Sequence, residues 1–276
     1  MENQIKAHYN TRNLITRIYH ALEKAKKNLD RLSLKDLAPI DQLHTGGAKA
    51  TLALLEQAHL KSGSDVLDAG CGLGGSSRLM AKNFGYMVTG VDLSDQFVTA
   101  AQALTGSMRL SDQVYFKQGS IEKLPFENKS FDAILCQHVL MNIMDKEKAF
   151  KEFNRVLRSN GKLILHEIVK GENDPVMYPV PWADQEKISY LQPWDAMEML
   201  IKNTGFEKEN FIDGTPGAAT WWEKVKNVAG SQEEPQKVLG PHLVFGENAA
   251  LFGKTMNYNF KWKRIKLVEA VFKKKG

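Results

Sequence analysis

From residue 65 onward the chain alternates short apolar runs with longer amphipathic stretches, and this alternation restricts the available folds more than any other feature of the sequence. The apolar runs fall at 65–69 (DVLDA), 87–91 (MVTGV), 113–117 (QVYFK), 131–136 (FDAILC) and 162–169 (KLILHEIV). Helical patterns separate them at about 75–84, 94–105 and 146–158. Parallel strands need a crossover long enough to carry the chain back to the same end of the sheet, and a helix supplies it. The succession therefore predicts an α/β fold, with a parallel sheet covered by helices on both faces. In such sheets ligands bind beyond the carboxyl ends of the strands, where the strand order reverses.

The flanking segments read differently. Over the first 45 or so residues Leu14, Ile15, Ile18, Ala21 and Leu22 recur at helical spacing, which predicts a helical cap. A second amphipathic helix is expected from about Ala48 to Leu60, before "KSGS" stops it. After residue 170 comes "GENDPVMYPVPWADQEKISYLQPW", with four prolines, two tryptophans and two tyrosines, a composition suited to an ordered loop over a pocket. A helix at about 194–204 and a strand at about 206–212 follow, and the last apolar run is "RIKLVEAVF". The insertion before that run carries Trp221, Trp222, Phe245, Phe252 and Trp262 and reads as a lid.

Composition removes several classes of function. The net charge is +5, but the surplus lysines gather near the ends, in "EKAKKN" and "FKWKR…FKKKG", which is a solvated surface more readily than a nucleic-acid patch. Cys71 and Cys136 form neither a disulfide framework nor a metal spacing, so no metal is expected. No apolar leader and no window of about 18 to 20 apolar residues is present. A cytoplasmic protein without stable membrane insertion is the expectation, as monomer or homodimer.

The first expected strand runs into "GCGLGG", four glycines in six residues, with Asp68 two positions ahead of the first. Gly70, Gly72 and Gly75 fit a dinucleotide spacing, whereas Gly70, Gly72 and Gly74 fit G-x-G-x-G, so the glycines alone do not choose a ligand. The acid does. A carboxylate at Asp68 repels a pyrophosphate in a poorly solvated cleft. It suits a nucleoside with a cationic amino group and no phosphate, such as S-adenosylmethionine. Asp92, which ends the second run, can accept two hydrogen bonds from ribose hydroxyls.

Taken together, "VLDAGCGLGG", "VTGVDLS", "GSIEKLPFENKSFD", "RVLRSNGKLILHE" and the "GF" near 205 resemble the ordered motifs of the class I S-adenosylmethionine-dependent methyltransferases over about residues 60–212. Within that family the chain is similar to enzymes acting on small molecules such as sarcosine and dimethylglycine, tocopherols, terpenoid precursors or sugars. The resemblance implies a Rossmann-like, doubly wound, seven-stranded sheet with an antiparallel last strand, S-adenosyl-L-methionine as cofactor and a small-molecule acceptor, with no nucleic acid. It implies a cap over residues 1–45 and a methyltransferase domain over 46–276, with lid elements at about 170–193 and 213–262. It further implies that Gly70, Gly72 and Gly74 contact the methionine part, Asp92 the ribose, and Ser120 with Ile121 the adenine. Many relatives carry an acid where this chain has Ser120. Asp68, Cys71, Leu93 and Gln137 complete the expected cofactor set.

Methyl transfer is an in-line displacement, so the protein must supply alignment, exclusion of water and, for an acceptor that is an amine, a hydroxyl or an activated carbon carrying a proton, a base. The expected catalytic residues are Glu167, at the end of the fifth run, and His138, directly after the fourth; His166 should alternate to the other face. His44, Asn142, Tyr178 and Trp182 are the expected acceptor contacts. A protein that binds the cofactor without turning it over is the alternative. A nicotinamide-dependent dehydrogenase is disfavoured by Asp68 and by the lack of a Tyr-x-x-x-Lys pair, and no Asn/Asp-Pro-Pro-Tyr/Phe stretch is present to hold a flipped base.

Overall fold

The structure, a computed structural model, describes residues 13–229 and 238–276. Residues 1–12 of the expected cap and 230–237 of the expected lid lie outside them. The described N-terminal part begins with α1 (Leu14–Lys24), α2 (Leu34–Asp41) and α3 (Gly47–Gln57). In α1 the buried residues are Leu14, Ile18, Ala21 and Leu22, one stripe at helical spacing. Ser33 and Asp36 form a reciprocal capping box at the start of α2.

The core then runs β1 (Asp65–Ala69), α4 (Gly75–Phe84), β2 (Met87–Asp92), α5 (Asp95–Ser107), β3 (Val114–Gln118), β4 (Phe131–Gln137), α6 (Lys146–Val156) and β5 (Leu157–Lys170). It closes with α7 (Trp194–Asn203), β6 (Phe206–Asp213), α8 (Thr215–Ala229), α9 (His242–Phe245), α10 (Ala249–Lys261) and β7 (Ile265–Lys274). The seven strands form one sheet in the order β3-β2-β1-β4-β5-β7-β6. The first five are parallel, and β7 is antiparallel to both β5 and β6. β5 begins earlier than its apolar run, with an irregular register between Phe131 and Ala133 of its neighbour β4.

Strand alternation divides the interior in two. Val66, Val88, Leu135 and Ile164 face a core shared with α1 to α5, while Leu67, Val91, Ile134 and Leu165 face one shared with α6 and α7. The N-terminal helices thus form part of the layer over one sheet face. A third cluster joins Trp182 and Ile188 to Trp222 of α8, Phe252, Met256 and Phe260 of α10, and Leu267 of β7. Among the described residues no helix is long and apolar enough to cross a membrane, and no cluster of histidine, cysteine and carboxylate side chains could hold a metal ion.

From β1 the strand order proceeds outward through β2 to β3, then resumes on the opposite side with β4 and β5. The reversal lies between β1 and β4, so the turns leaving these two strands must splay apart and open a crevice. Those turns begin with Gly70 and His138.

Candidate functional site

The turn after β1 is held by its neighbours' backbone. Gly70 and Cys71 both donate their amides to the Val91 carbonyl, at 2.8 and 3.0 Å. Gly72 donates to Asp92 Oδ2 and Ser94 to Asp92 Oδ1, each at 2.9 Å. One carboxylate therefore ties the glycine turn to the start of α5, and each of its oxygens keeps a further lone pair. Gly70 and Gly72 both have positive φ, at 79° and 52°, which favours glycine. They differ in surroundings: a Cβ on Gly70 would lie 2.3 Å from Val139 Cγ2, whereas one on Gly72 would meet nothing within 4 Å. The missing side chain of Gly72 thus leaves a cradle of open space against the backbone.

Beneath the turn, Asp68 accepts a hydrogen bond from Ser77 Oγ at 2.5 Å. Burial pushes its carboxyl up to about 6, against the Ser77 hydrogen bond and helped by the nearby charge of Asp92. Arg78 of α4 pairs with Asp41 at 2.7 Å, both side chains fully enclosed, and donates to the Leu73 carbonyl at 2.8 Å, which fastens α2 to the turn.

The turn after β4 is organised from β5. Glu167 is fully buried, and its carboxylate receives the Val139 amide at 3.1 and 3.2 Å, the Leu140 amide at 3.2 Å and the Cys136 thiol at 3.3 Å. Burial pushes Glu167 up to about 8. The turn that these bonds fix carries His138, at φ 55°, whose amide donates to the His166 carbonyl at 2.9 Å. The His138 and His166 rings stack with centroids 5.0 Å apart, and His44 lies edge-on at 6.1 and 5.8 Å from them. Burial, with the neighbouring rings, holds His138 well below the usual imidazole range, and burial lowers His44 to about 4 and His166 to about 3. All three imidazoles are neutral, and His138 Nε2 has no hydrogen-bond partner.

Gln137 sits between the two turns. Ser76 Oγ and Thr51 Oγ1 bond its Oε1 at 3.0 and 3.1 Å, and His44 Nε2 lies 2.9 Å from Thr51 Oγ1. The amide's other atom is buried with no partner.

These groups open on one cleft that encloses, with its mouth, about 1370 Å³. Of the residues singled out from the sequence, Asp68, Gly70, Cys71, Gly72, Asp92, Leu93, Ser120, Ile121, Gln137, His138, His44, Asn142 and Trp182 line it. Three do not. Gly74 caps the start of α4, where a Cβ would strike Phe116 at 2.5 Å, so it permits helix packing. Glu167 lies behind the cleft wall, bound to backbone amides. Tyr178 belongs to the third apolar cluster. Asn142 lines the cleft, but its Nδ2 donates to the Trp182 and Ile188 carbonyls at 2.8 and 3.2 Å, which fixes the loop. Sequence reasoning missed Asp41, Ser76, Phe97, Glu122 and Val244, and assigned Phe245 to the lid without placing it at the cleft. Only Ser76, directly after the glycine turn, had a local signal.

Comparison with known proteins agrees with this geometry. Residues 67–165 match the protein-family model described as a methyltransferase domain. The chain is 32% identical over 162 residues to phosphoethanolamine N-methyltransferase 1 of Zea mays, covering 59% of this chain and 32% of that one. It spans about a third to a half of the length of the first curated relatives it matches. Among solved structures, a phosphoethanolamine N-methyltransferase 2 from Haemonchus contortus, in complex with phosphomonomethylethanolamine and S-adenosylhomocysteine, superposes with a TM-score of 0.70 at 22% identity, over 93% of this chain and 57% of that one. The [4+2]-cyclase SpnF superposes with a TM-score of 0.68 at 20% identity, over 86% of this chain and 89% of that one. Residues 67–165 thus carry a methyltransferase domain, and the seven-stranded fold is the one these solved structures share.

Proposed function

We propose that this protein transfers the methyl group of S-adenosyl-L-methionine to a small-molecule acceptor that carries a removable proton, with His138 as the base. The observation that carries the reading is the opening of the Gly70–Gly72 turn, Asp92 and His138 on one cleft at the reversal between β1 and β4. The residues present fit the cofactor. The cradle at Gly72 admits a ligand against the backbone, the spare lone pairs of Asp92 suit ribose hydroxyls, and Asp68 lies where a cationic amino group gains from an acid. Ile121 and Leu93 offer apolar contact to the adenine beside Ser120, and the unpartnered Gln137 amide atom supplies a further polar contact.

When bound, S-adenosylmethionine supplies a methyl group already activated by its sulfonium sulfur. The chain's own residues align the acceptor, keep water out and move a proton. Trp182, Met141 and Phe245 cover the cleft beside His138. The Nε2 of the neutral imidazole has no partner and, in the tautomer protonated at Nδ1, offers its lone pair to the acceptor's proton; burial holds the ring well below its usual range, so that proton is readily passed on. Glu167 acts one step back: it holds the Val139 and Leu140 amides and so fixes the backbone of His138. In this reading residues 46–276 form the catalytic domain, residues 1–45 the cap, and the protein works in the cytoplasm as a monomer or homodimer.

The test is turnover and binding together. Calorimetry should show saturable binding of S-adenosylhomocysteine, and labelled methyl transfer across an acceptor panel should identify turnover. His138→Asn should lower turnover by about 10² to 10⁴-fold with cofactor affinity unchanged, the usual worth of a general base. Binding without any transfer would instead favour a cofactor-binding protein, a reading kept open by the cyclase with the same fold.

A further inference from the structure

Besides the polar groups around the glycine turn, the cleft is walled by Leu43, Met141, Ile143, Trp182, Val244 and Phe245. Two imidazoles, His44 and His138, also line it, and burial holds both neutral. The Asn142 Nδ2 is occupied by the Trp182 and Ile188 carbonyls. Among the described residues no lysine or arginine lines the cleft. Lys146, on the helix after this loop, donates to the Ile143 and Tyr190 carbonyls, so its charge is already engaged.

The carboxylates of the cleft serve other ends. Asp41 is paired with Arg78, Asp68 takes the Ser77 hydroxyl, and Asp92 holds the Gly72 and Ser94 amides. Glu122 also lines the cleft, next in sequence to Ser120 and Ile121. A phosphate moved against these apolar walls would lose its hydration and find no cation, and an ammonium would find Asp41, Asp68 and Asp92 already engaged. An apolar body gains from the same surface.

We infer that the acceptor is an uncharged, mainly apolar molecule presenting a single acidic hydroxyl, of the phenol or enol class, toward His138. The inference rests on the methyltransferase reading and narrows it. It sets this chain apart from relatives whose names specify phosphoethanolamine.

The experiment is a binding measurement, made on the full chain saturated with S-adenosylhomocysteine so that no methyl group can move. Thymol serves as the apolar phenol, phosphoethanolamine and dimethylglycine as charged small probes, and geranyl diphosphate as an apolar anion. Binding is read by calorimetry and by quenching of Trp182, taken as the difference between the parent and Trp182→Phe. Thymol should bind at least tenfold tighter than each charged probe. Ile143→Lys, at a half-buried wall position, should weaken thymol at least tenfold and leave S-adenosylhomocysteine affinity unchanged, with a thermal melt to check the fold. Tighter binding of any charged probe, no thymol binding to the saturated protein, or equal thymol affinity in the folded variant would overturn the inference. Failure to bind S-adenosylhomocysteine would instead overturn the methyltransferase reading.

Discussion

Replacement of Glu167 by glutamine separates a positioning role from a catalytic one, because the two predict opposite patterns. In the parent, the two carboxyl oxygens receive the Val139 and Leu140 amides and the Cys136 thiol. Glutamine keeps one acceptor oxygen and turns an amino group toward the other donor. One buried amide without a partner costs about 1 to 3 kcal/mol. The pH dependence gives a second, independent signature. Burial raises the Glu167 carboxyl to about 8, so between its unfolded value near 4.3 and that figure the folded state binds more protons than the unfolded chain. The associated stability is fully present below about pH 4 and is lost as pH rises through 8. Over the interval from pH 5 to 8 the loss is on the order of 4 kcal/mol at 1.36 kcal/mol per pH unit.

Glu167→Gln removes this slope while leaving the slopes from Asp41, Asp68, Asp92 and Glu269 in place, so the difference between the two proteins reports Glu167 and Lys146, the amine lowered to about 8 whose charge the glutamate stabilises. Urea unfolding from pH 5 to 9 should find the variant less stable by about 1 to 3 kcal/mol at the acid end, with the gap closing or inverting by pH 9. Cofactor affinity should stay near the parent's. Parallel stability curves, accompanied by a 10² to 10⁴-fold fall in turnover, would refute the positioning role and restore Glu167 as a base.

Two further outcomes follow from the cofactor half of the cleft. Gly72→Val should abolish calorimetric binding of S-adenosylmethionine, since its side chain fills the open cradle, and lower the melting temperature, since a β-branched residue is strained at φ 52°; Gly70→Ala should mainly lower the melting temperature, because its Cβ would meet Val139 at 2.3 Å. The affinity for S-adenosylmethionine should decline as pH falls through about 6, where Asp68 takes up a proton while the ligand's amino group stays charged, and Asp68→Asn should flatten that dependence; a flat parent profile from pH 5 to 8 would remove Asp68 from ligand binding.

Much of the sheet was legible because short apolar runs and helical patterns follow from local packing. α4 begins and ends at the expected residues, and Asp92 ends the second strand as expected, though its bond to the Gly72 amide had no sequence signal. Glu167 illustrates the limit. Its place near the end of a strand put it close to the reacting region, but its partners are backbone amides of another turn, and amides carry no sequence signal. His166 was expected on the opposite strand face from Glu167; it is, and that face brings it under His138. Tyr178 lay in an aromatic loop whose composition could not tell a cleft wall from a buried cluster. Val244 and Phe245 reach the cleft from an insertion distant in sequence, a contact only the tertiary fold creates.

The lid's separate apolar cluster bears on how this protein can change. Trp182 packs with Trp222, Phe252 and Met256, whereas the glycine turn and Asp92 rest on the sheet and on α4 and α5. Energetic coupling between substitutions is strongest among residues in contact and fades with separation. Most exchanges within the lid cluster therefore combine almost additively with the cofactor side, except where the two meet, at Phe245, which packs on both, and at the bond from Trp222 Nε1 to Thr45 Oγ1. A lineage can redraw the wall that meets the acceptor through many single steps, each tested for fit on its own, while the grip on the methyl donor is inherited intact.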